Sequence, residues 1–494
     1  MEGNKRAPNL VEALIPILVL IALLALNVII YNDEATSGPN QIALIIGAVI
    51  AALIGVRLGF TWLQIQDGMV KSINSAMSAI LILLIIGALS GTWMISGIVP
   101  SMIYYGLQIM HPSYFLLATC IICCIVSLAT GSSWSTVATV GVALLAIGTV
   151  IGIPVGMSAG AIISGAYFGD KMSPLSDTTN LAPAMAGGDL FTHIRYMMYT
   201  TIPTLIITFI IFGILGFYIS TSNKENEVNA LLLAMENKFY ISPFLFLVPL
   251  TVFGLIALKV DALPALFVGA VLGGVVACFA QPQIIKEISG VTGHYLTASY
   301  KAVLQAMTGS VSIKTDNESI TKLLATRGMN GMLNTIFLVL CAMCFGGAME
   351  VSGLLKKITQ TVMRKVESTG SLIATTAGTC IFFNATASDQ YLAIVVPGRM
   401  FSKEFQDRGL KPENLSRTLE DAGTVTSVLF PWNTCGAVQS SVLQVATGSY
   451  WMYCFFNLLS PIMTVFYAYM NIKINRFTPK EMEEIAKKEL SEVS

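Results

Sequence analysis

The sequence predicts an all-α integral membrane protein of two inverted repeats, each of which crosses the membrane five times. Three observations lead to this prediction: an apolar composition, long apolar runs separated by short polar segments, and the same order of elements in both halves. Hydrophobic residues make up 54% of the 494 residues and charged residues only 11%, whereas soluble domains carry about 25% charge. No soluble domain is therefore expected.

Eight apolar runs are long enough to cross a membrane, which takes about 20 mainly apolar residues. The predicted spans are 10–31, 42–60, 73–97, 187–220, 240–258, 261–280, 329–348 and 450–471. The first run is too long for a signal-peptide core and lacks a good cleavage site, so we expect an uncleaved span.

Two further apolar regions are interrupted in the middle by small polar residues. Region 113–150 is interrupted at 130–136, and region 370–400 at 384–390. Irregular backbone at membrane depth is tolerated only where it is buried in protein or lines a cavity. We therefore expect two re-entrant hairpins whose tips stop inside the protein.

Two more spans contain a polar break. Region 155–186 is broken at 176–180, and region 415–446 at 431–436. With these two discontinuous helices the chain has about 10 spans in addition to the 2 hairpins. Discontinuous helices are where secondary transporters bind ions and substrates.

The order of elements indicates an internal repeat of about 250 residues. Trp134 and Asp389 lie at the two tips, 255 positions apart, and Asp177 and Asn433 lie in the two breaks, 256 apart. Five crossings per repeat invert the second copy, which is typical of secondary transporters. The predicted divisions are a first repeat 1–220, a connecting loop 221–239, a second repeat 240–472 and a cytoplasmic tail 473–494.

Within each repeat the prediction is three scaffold spans, then a hairpin, a broken helix and a final span. The distribution of positive charge supports cytoplasmic N- and C-termini, since loops assigned to that side carry 20 of the 28 Lys and Arg residues, Arg417 among them. Five of the seven outside cations fall in 281–327. An amphipathic helix at 295–307 gives that segment an alternative position at the membrane interface.

Ionisable side chains within spans cost at least about 2.5–3.5 kcal/mol each, so a function is expected of them. They are Asp170, Lys171, Asp177, Asp389, Glu420 and Asp421, with Glu350 as a further candidate. Structural alternatives stay open for each group: Asp177 could cap a half-helix, Asp170 and Lys171 could neutralise each other, and Glu420 with Asp421 could form a solvated first turn.

Neutral oxygen ligands surround these carboxylates in the sequence. They come from the tips and the second break: Ser132, Ser133, Asn384, Ser388, Asn433 and Thr434. Small hard cations prefer such ligands. Carboxylates with few positively charged side chains nearby favour a metal cation as the transported ligand. A carboxylate that binds either Na⁺ or H⁺ couples the transport of the two ions.

The segment Gly169-Asp170-Lys171-Met172-Ser173-Pro174-Leu175-Ser176-Asp177-Thr178-Thr179-Asn180-Leu181-Ala182, preceded by Gly131-Ser132-Ser133-Trp134-Ser135-Thr136, resembles the NhaC family of bacterial Na⁺/H⁺ antiporters. The resemblance covers nearly the whole chain in length and layout. It implies the inverted-repeat ion-transporter fold and sodium/proton exchange across the bacterial cytoplasmic membrane. Because relatives include malate/lactate exchangers, a small organic acid stays open as cargo.

By this resemblance, the ion-binding residues of the first break are Asp170, Asp177, Thr178, Thr179 and Asn180. The predicted sodium ligands are Asp177, Thr178, Asn180, Asp389 and Asn433, with Lys171, Glu420 and Asp421 as proton or charge partners. Family members are often dimers, and the sequence leaves a homodimer open.

Other classes of protein fit the sequence less well. It has no nucleotide-binding motif for a primary pump, no histidine in an apolar run for a serine protease, and no filter segment for a channel. We expect no enzyme, no cofactor and no nucleic-acid partner, with the lipid bilayer, Na⁺ and H⁺ as the contacts of the chain. An ion-coupled carrier of a small carboxylate or amino acid is the alternative, and Lys171 would be its cationic ligand at the break.

Overall fold

The computed structural model describes residues 5–31, 35, 37–219, 225–314, 321, 324–363 and 366–483. Eight helices in this part of the chain are long and apolar enough to cross a membrane, or up to ten if each of two bent helix pairs is one span. The chain is thus a multi-pass, largely helical membrane protein, as predicted. Residues 221–224 of the expected loop, parts of 281–327 and residues 484–494 of the expected tail lie outside the described residues.

The described residues of the first half form ten helices, of which the seventh follows a hairpin tip and the ninth follows a helix break. They are α1 (Leu10–Tyr31), α2 (Pro39–Arg57), α3 (Trp62–Ser75), α4 (Met77–Ile95), α5 (Ile98–Ile109), α6 (Pro112–Thr130), α7 (Ser133–Val150), α8 (Val155–Met172), α9 (Asp177–Ala186) and α10 (Leu190–Tyr218). Helix α7 includes a π-helical turn at Val137–Gly141.

The second half repeats this order. Its helices are α11 (Glu225–Lys238), α12 (Pro243–Ala257), α13 (Ala262–Ala280), α14 (Pro282–Ser289), α15 (Tyr295–Thr308), α16 (Met329–Val351), α17 (Leu354–Met363), α18 (Thr369–Thr386), α19 (Gln390–Asp407), α20 (Pro412–Thr418), α21 (Thr434–Leu443), α22 (Thr447–Tyr453) and α23 (Phe455–Tyr469). A π-helical turn, Leu419–Thr424, continues α20.

Several elements differ from the prediction. The expected connecting loop 221–239 is mostly helix α11, which bends by 85° into α12. Helices α3, α5 and α17 were not predicted, because they are too short or too polar for a span. Helix α15 confirms the amphipathic helix expected near 295–307. A two-stranded antiparallel sheet pairs Val311–Ser312 with Ala325–Thr326, an exception to the all-helical prediction.

Both interrupted regions fold as hairpins with buried tips. In the first hairpin (α6 and α7), Gly148 near the end of α7 packs against the Phe115 ring near the start of α6, so the two arms run antiparallel. Its arms are 19 and 18 residues long, and each has the length of a span. At the tip of the second hairpin (α18 and α19), Asn384 and Ser388 are fully buried.

The two halves match in detail at an offset of 257 residues. Gly131 and Ser388 both have left-handed backbone, with φ of 69° and 59°. Ser127 donates to the carbonyl oxygen of Ala166, and Asn384, 257 positions later, donates to that of Gly423, the counterpart of Ala166. The predicted offsets of 255 and 256 were therefore wrong by one or two residues.

This offset changes the pairing of residues between the repeats. Ser132 and Asp389 both cap the second hairpin arm, so the counterpart of Asp389 is Ser132 and not Trp134. Ser176 and Asn433 both occupy the cap position after a break. The positions of the helix caps determine how residues of the two halves correspond. The apolar pattern of the sequence does not locate a cap to a single residue.

Reciprocal glycine contacts join the repeats. A Cβ added to Gly91 of α4 would lie 1.8 Å from the Ala306 carbonyl oxygen in α15, and one added to Gly347 of α16 would lie 2.8 Å from the Gly68 carbonyl oxygen in α3. Each repeat thus packs its glycine-bearing helix on the amphipathic helix of the other. Close backbone approach through small residues is typical of helix packing in membranes.

We expect Gly91→Ala to lower stability, because the added methyl group overlaps a backbone oxygen that no side-chain rotation can move. Overpacking of this kind costs about 1–3 kcal/mol. Thermal unfolding in detergent measures it. Gly213→Ala in α10, which has open space around it, is the matched control and should be neutral or stabilising by up to about 1 kcal/mol. Equal melting temperatures for the two variants would contradict the packing described.

Candidate ion-binding site

Each hairpin tip meets the break of the broken helix that follows it. Gly131 at the first tip lies against Leu175 and Ser176 in the first break. At the second tip, the Ser388 carbonyl oxygen accepts a hydrogen bond of 2.9 Å from the Thr434 N–H in the second break. At the second tip a backbone hydrogen bond is thereby satisfied inside the protein, as membrane depth requires.

The first tip and break surround the carboxylate of Asp170. Ser133 donates to its Oδ2 at 2.6 Å, and Ser176 donates to its Oδ1 at 2.7 Å. The hydroxyl oxygen of Thr178 lies 3.1 Å from that of Ser176. Asp170 is 8% exposed. It has no cationic partner among the ion pairs of the described residues, so this half-site keeps a net negative charge when ionised.

The second tip and break bring together five of the predicted residues. Asn433 donates to the Asn384 backbone oxygen at 3.0 Å and lies 3.2 Å from its side-chain oxygen. Thr434 follows Asn433 and contacts Ser388 through its backbone. Asp389, 2% exposed, caps α19 by accepting from the Leu392 N–H. This half-site combines one carboxylate with amide, hydroxyl and carbonyl oxygens.

Tyr391 connects the two half-sites and was not predicted. Its hydroxyl group lies 3.5 Å from Asp177 Oδ2, and Asp170 and Asp389 are also close enough to interact with it electrostatically. Tyr391 is the second residue of α19, and an aromatic residue at the start of a helix resembles ordinary packing in the sequence. Only the folded structure reveals that its hydroxyl group lies near Asp177.

Several predicted residues hold the first break together. Thr179 donates to the backbone oxygens of Asp170 and Lys171, both at 2.9 Å, and Asn180 donates to those of Pro174 and Ser176. Ser132 caps α7 by accepting from the Ser135 N–H.

Two of the predicted sodium ligands, Asp177 and Asn180, have exposed side chains. Asp177 is the first residue of α9, and the capping position belongs to Ser176. The proposed alternative role of Asp177 as the helix cap is therefore wrong. The structure thus separates a buried group of predicted ligands from these two outer ones.

Lys171 pairs with Asp421 and not with its neighbour Asp170, which corrects one of the alternatives open in the sequence. Both side chains are fully buried. Asp421 also accepts from Thr200 at 2.9 Å, from Ser460 at 3.1 Å and from Thr464. With four donors the carboxylate is saturated, so Lys171 and Asp421 form a neutral unit that joins the two broken helices.

The solvated first turn considered for Glu420 and Asp421 is also wrong. Both side chains are fully buried in the π-helical turn Leu419–Thr424, and π turns are frequent at functional sites. Arg417, counted among the loop cations, is buried as well, with its guanidinium 4.4 Å from the centre of the Tyr196 ring. A sequence pattern of charge does not distinguish a buried helix end from a loop.

The C-terminal segment folds back over the start of the second broken helix. The Phe477 N–H donates to the Gly409 carbonyl oxygen at 2.8 Å, and Asn475 hydrogen-bonds to Asn414. Lys411 donates to Glu481 at 2.8 Å. That hydrogen bond, with others from Thr478, holds the pKa of Glu481 at about 2. This segment anchors the broken helix at the end away from its break.

A cavity of about 990 Å³ opens between helices α2, α4 and α16 on one side and α7, α8 and α21 on the other. Pro431 in the second break contributes to its wall. Arg327 is the one charged residue among the described residues that line it. We call this cavity the vestibule.

The chemistry of the two half-sites suits a monovalent cation surrounded by oxygen atoms. The described residues contain no group of three His, Cys, Asp or Glu side chains placed to hold a metal ion. What they contain instead is a single carboxylate with hydroxyl, amide and carbonyl oxygens at each tip, the ligand type that hard cations prefer.

Comparison with known proteins identifies the family of this chain. Residues 165–472, which include both breaks and the second hairpin, match a family model described as "Na+/H+ antiporter family". A Na⁺/H⁺ antiporter NhaC of Alkalihalophilus pseudofirmus is 37% identical over 458 residues, 93% of this chain and 95% of that protein. The chain belongs to the NhaC Na⁺/H⁺ antiporter family.

Two other relatives of this NhaC-family chain carry different names. A malate-2H⁺/Na⁺-lactate antiporter of Bacillus subtilis is 37% identical over 465 residues, covering 94% of this chain and 95% of the relative. An arginine/ornithine antiporter ArcD of Halobacterium salinarum is 32% identical over 484 residues, covering 97% and 96%. Similarity of this extent therefore includes antiporters named for different cargoes.

In this NhaC-family chain we expect Lys171→Met to destabilise the fold, because it leaves the Asp421 charge buried without its cation. Removing one partner of a buried pair costs about 3–5 kcal/mol. The double variant Lys171→Met/Asp421→Asn should recover most of that loss in a thermal unfolding cycle in detergent. Glu287→Gln, which breaks the partly exposed pair with Lys238, is the control and should cost less than about 1 kcal/mol. A double variant no more stable than Lys171→Met would contradict the neutral-unit description.

Proposed function

We propose that the chain is a secondary transporter and not an enzyme, and that it exports Na⁺ in exchange for H⁺ across the bacterial cytoplasmic membrane. The observation that carries the proposal is the pair of buried carboxylates, Asp170 and Asp389, each held among oxygen ligands where a hairpin tip meets a helix break. Membership of the NhaC family and the names of the Na⁺/H⁺ antiporter relatives support it.

The buried residues are the proposed sodium ligands. In the first half-site they are Asp170, Ser133, Ser176 and Thr178, and in the second Asp389, Asn384, Ser388, Asn433 and Thr434. Burial favours Asp170 over Asp177 and Asn180 as inner ligands. Asp177, exposed and near Tyr391, is proposed as the outer carboxylate that a hydrated Na⁺ meets first.

The proposed transport cycle moves the hairpins and broken helices relative to the scaffold formed by α1, α2, α4 and their counterparts α12, α13 and α16. The vestibule lies between these two groups and gives water a path toward the second break. Ionised carboxylates without a bound cation cross a low-dielectric path poorly, so movement requires Na⁺ or H⁺ on the buried acids of the moving part. That requirement couples the two ions.

We expect Asp170→Asn and Asp389→Asn each to reduce Na⁺-driven proton flux at least tenfold, because the amide removes the charge that binds Na⁺. Proteoliposomes that contain an internal pH dye and receive a step of external NaCl measure this flux. Asp261→Asn, which changes an exposed aspartate at the start of α13, is the control and should transport normally. Normal flux in both site variants would refute the site, and no flux in the wild type would refute the proposed exchange.

One observation favours ion-coupled carriage of a small carboxylate as a second candidate. Arg327 is a cation at the wall of a vestibule whose described lining residues include no Asp or Glu, and such a wall attracts anions. The relative named as a malate-2H⁺/Na⁺-lactate antiporter supports this alternative.

The substitution Arg327→Gln separates the two candidates. If the cargo is only Na⁺ and H⁺, we expect Na⁺-driven proton flux without organic acid to stay within twofold of the wild type. A malate- or lactate-dependent flux in the wild type that Arg327→Gln weakens tenfold would instead support the carboxylate carrier. Lys301→Gln in α15 is the control for a general change of surface charge.

A further inference from the structure

Glu420 is a buried acid that the proposed sodium site does not use. It lies in the π-helical turn Leu419–Thr424 of the second broken helix and is fully buried. Glu420 is separated in sequence from every proposed sodium ligand. Within the described chain its carboxylate forms no geometric hydrogen bond with any of those ligands. Its neighbour Asp421 is the saturated partner of Lys171.

The two adjacent acids have opposite surroundings. Asp421 accepts hydrogen bonds from four side chains, whereas neither carboxylate oxygen of Glu420 meets a donor in hydrogen-bond geometry within the described chain. The hydroxyl group of Thr424, one turn later, faces Glu420 and is likewise without a geometric hydrogen bond. Glu420 therefore has space for a proton on its carboxyl group, and the Thr424 hydroxyl oxygen can accept a hydrogen bond from that group.

The charged groups around Glu420 do not supply a partner. Asp170 and Lys171 of α8 and Asp421 of its own turn are close enough to interact electrostatically. Helices α18 and α23, which pack on the turn, contain no Asp, Glu, Lys, Arg or His. The remaining charged residues on packed elements are Glu413 and Arg417 of α20, the latter stacked on Tyr196, exposed Asp177 in α9, and Arg399, Lys403, Glu404 and Asp407 in the later part of α19.

An ionised carboxylate in such surroundings is strongly disfavoured. Burial removes its hydration, and neither carboxylate oxygen has a geometric hydrogen bond within the described chain to replace the lost water. Lys171, the cation that interacts with it electrostatically, is already paired with Asp421. These surroundings favour the neutral, protonated form of Glu420 in this conformation.

We infer that Glu420 carries the exchanged proton, at a place separate from the sodium ligands. This inference rests on the proposed Na⁺/H⁺ exchange. Ionised Glu420 adds negative charge near Asp170 and strengthens Na⁺ binding there. Bound Na⁺ in turn favours release of the proton from Glu420 to water. The negative charges of Glu420 and Asp170 repel each other, so a positive ion at either acid weakens binding of the other ion at its own acid. Na⁺ and H⁺ therefore exclude each other although they bind to different carboxylates.

The variant Glu420→Gln tests this, because the amide keeps the shape of the neutral acid but cannot release a proton. Two fluxes are measured in proteoliposomes: exchange of ²²Na⁺ against internal Na⁺, and Na⁺-driven proton flux. We expect ²²Na⁺ exchange to persist at the level that the wild type shows at low pH and to lose its pH dependence, while proton flux falls at least tenfold. Glu413→Gln, on the same helix beside the C-terminal segment, should leave both fluxes unchanged.

Each other outcome overturns the inference. Wild-type proton flux in Glu420→Gln would show that another group carries the proton, and loss of both fluxes in a folded variant would place Glu420 in the sodium site. If Glu420→Gln does not fold, Thr424→Val replaces it, and an unchanged pH profile of ²²Na⁺ exchange would refute the role. Absence of proton flux in the wild type refutes the proposed function itself, so the two failures are distinguishable.

Discussion

Backbone that leaves helical geometry at membrane depth must find its hydrogen-bond partners within the protein, and this constraint organises the whole structure. Four segments break the helical pattern, two hairpin tips and two helix breaks, and the fold places each tip on one break. The Thr434 N–H to Ser388 carbonyl bond and the contact of Gly131 with Ser176 are the direct result. The same polar groups that satisfy the backbone then provide oxygen atoms around Asp170 and Asp389.

Charge is distributed around these junctions in an ordered way. Lys171 and Asp421 cancel each other and join the two broken helices, so their attraction favours movement of these helices as one unit. Asp170 and Asp389 keep oxygen neighbours but no cation, and they remain available to a cation from solution. Glu420 lies between these two situations, since neither of its carboxylate oxygens has a geometric hydrogen bond within the described chain. The ion pair thus stabilises the assembly, and we propose that the other acids respond to cations.

The sequence predicted the long apolar helices and both interruptions, because twenty apolar residues and a polar gap are strong local signals. It missed α3, α5 and α17, since short or amphipathic helices lack the composition of a span. Five residues of the second half-site met as expected, because they lie in two segments that the repeat pattern already paired. The partner of Lys171 could not be predicted, since Asp421 lies 250 residues away and Asp170 is adjacent in sequence.

The two repeats share a backbone but do not share their acids. At the offset of 257 residues, Asp170 corresponds to Ser427 and Asp389 corresponds to Ser132. One carboxylate therefore belongs to the helix before a break, and the other belongs to a hairpin tip. A shift of the hairpins relative to the broken helices changes the distance between these two negative charges and their repulsion. Because a cation bound near them offsets this repulsion, we propose that the unequal placement of acids in corresponding segments lets ion binding bias the conformation.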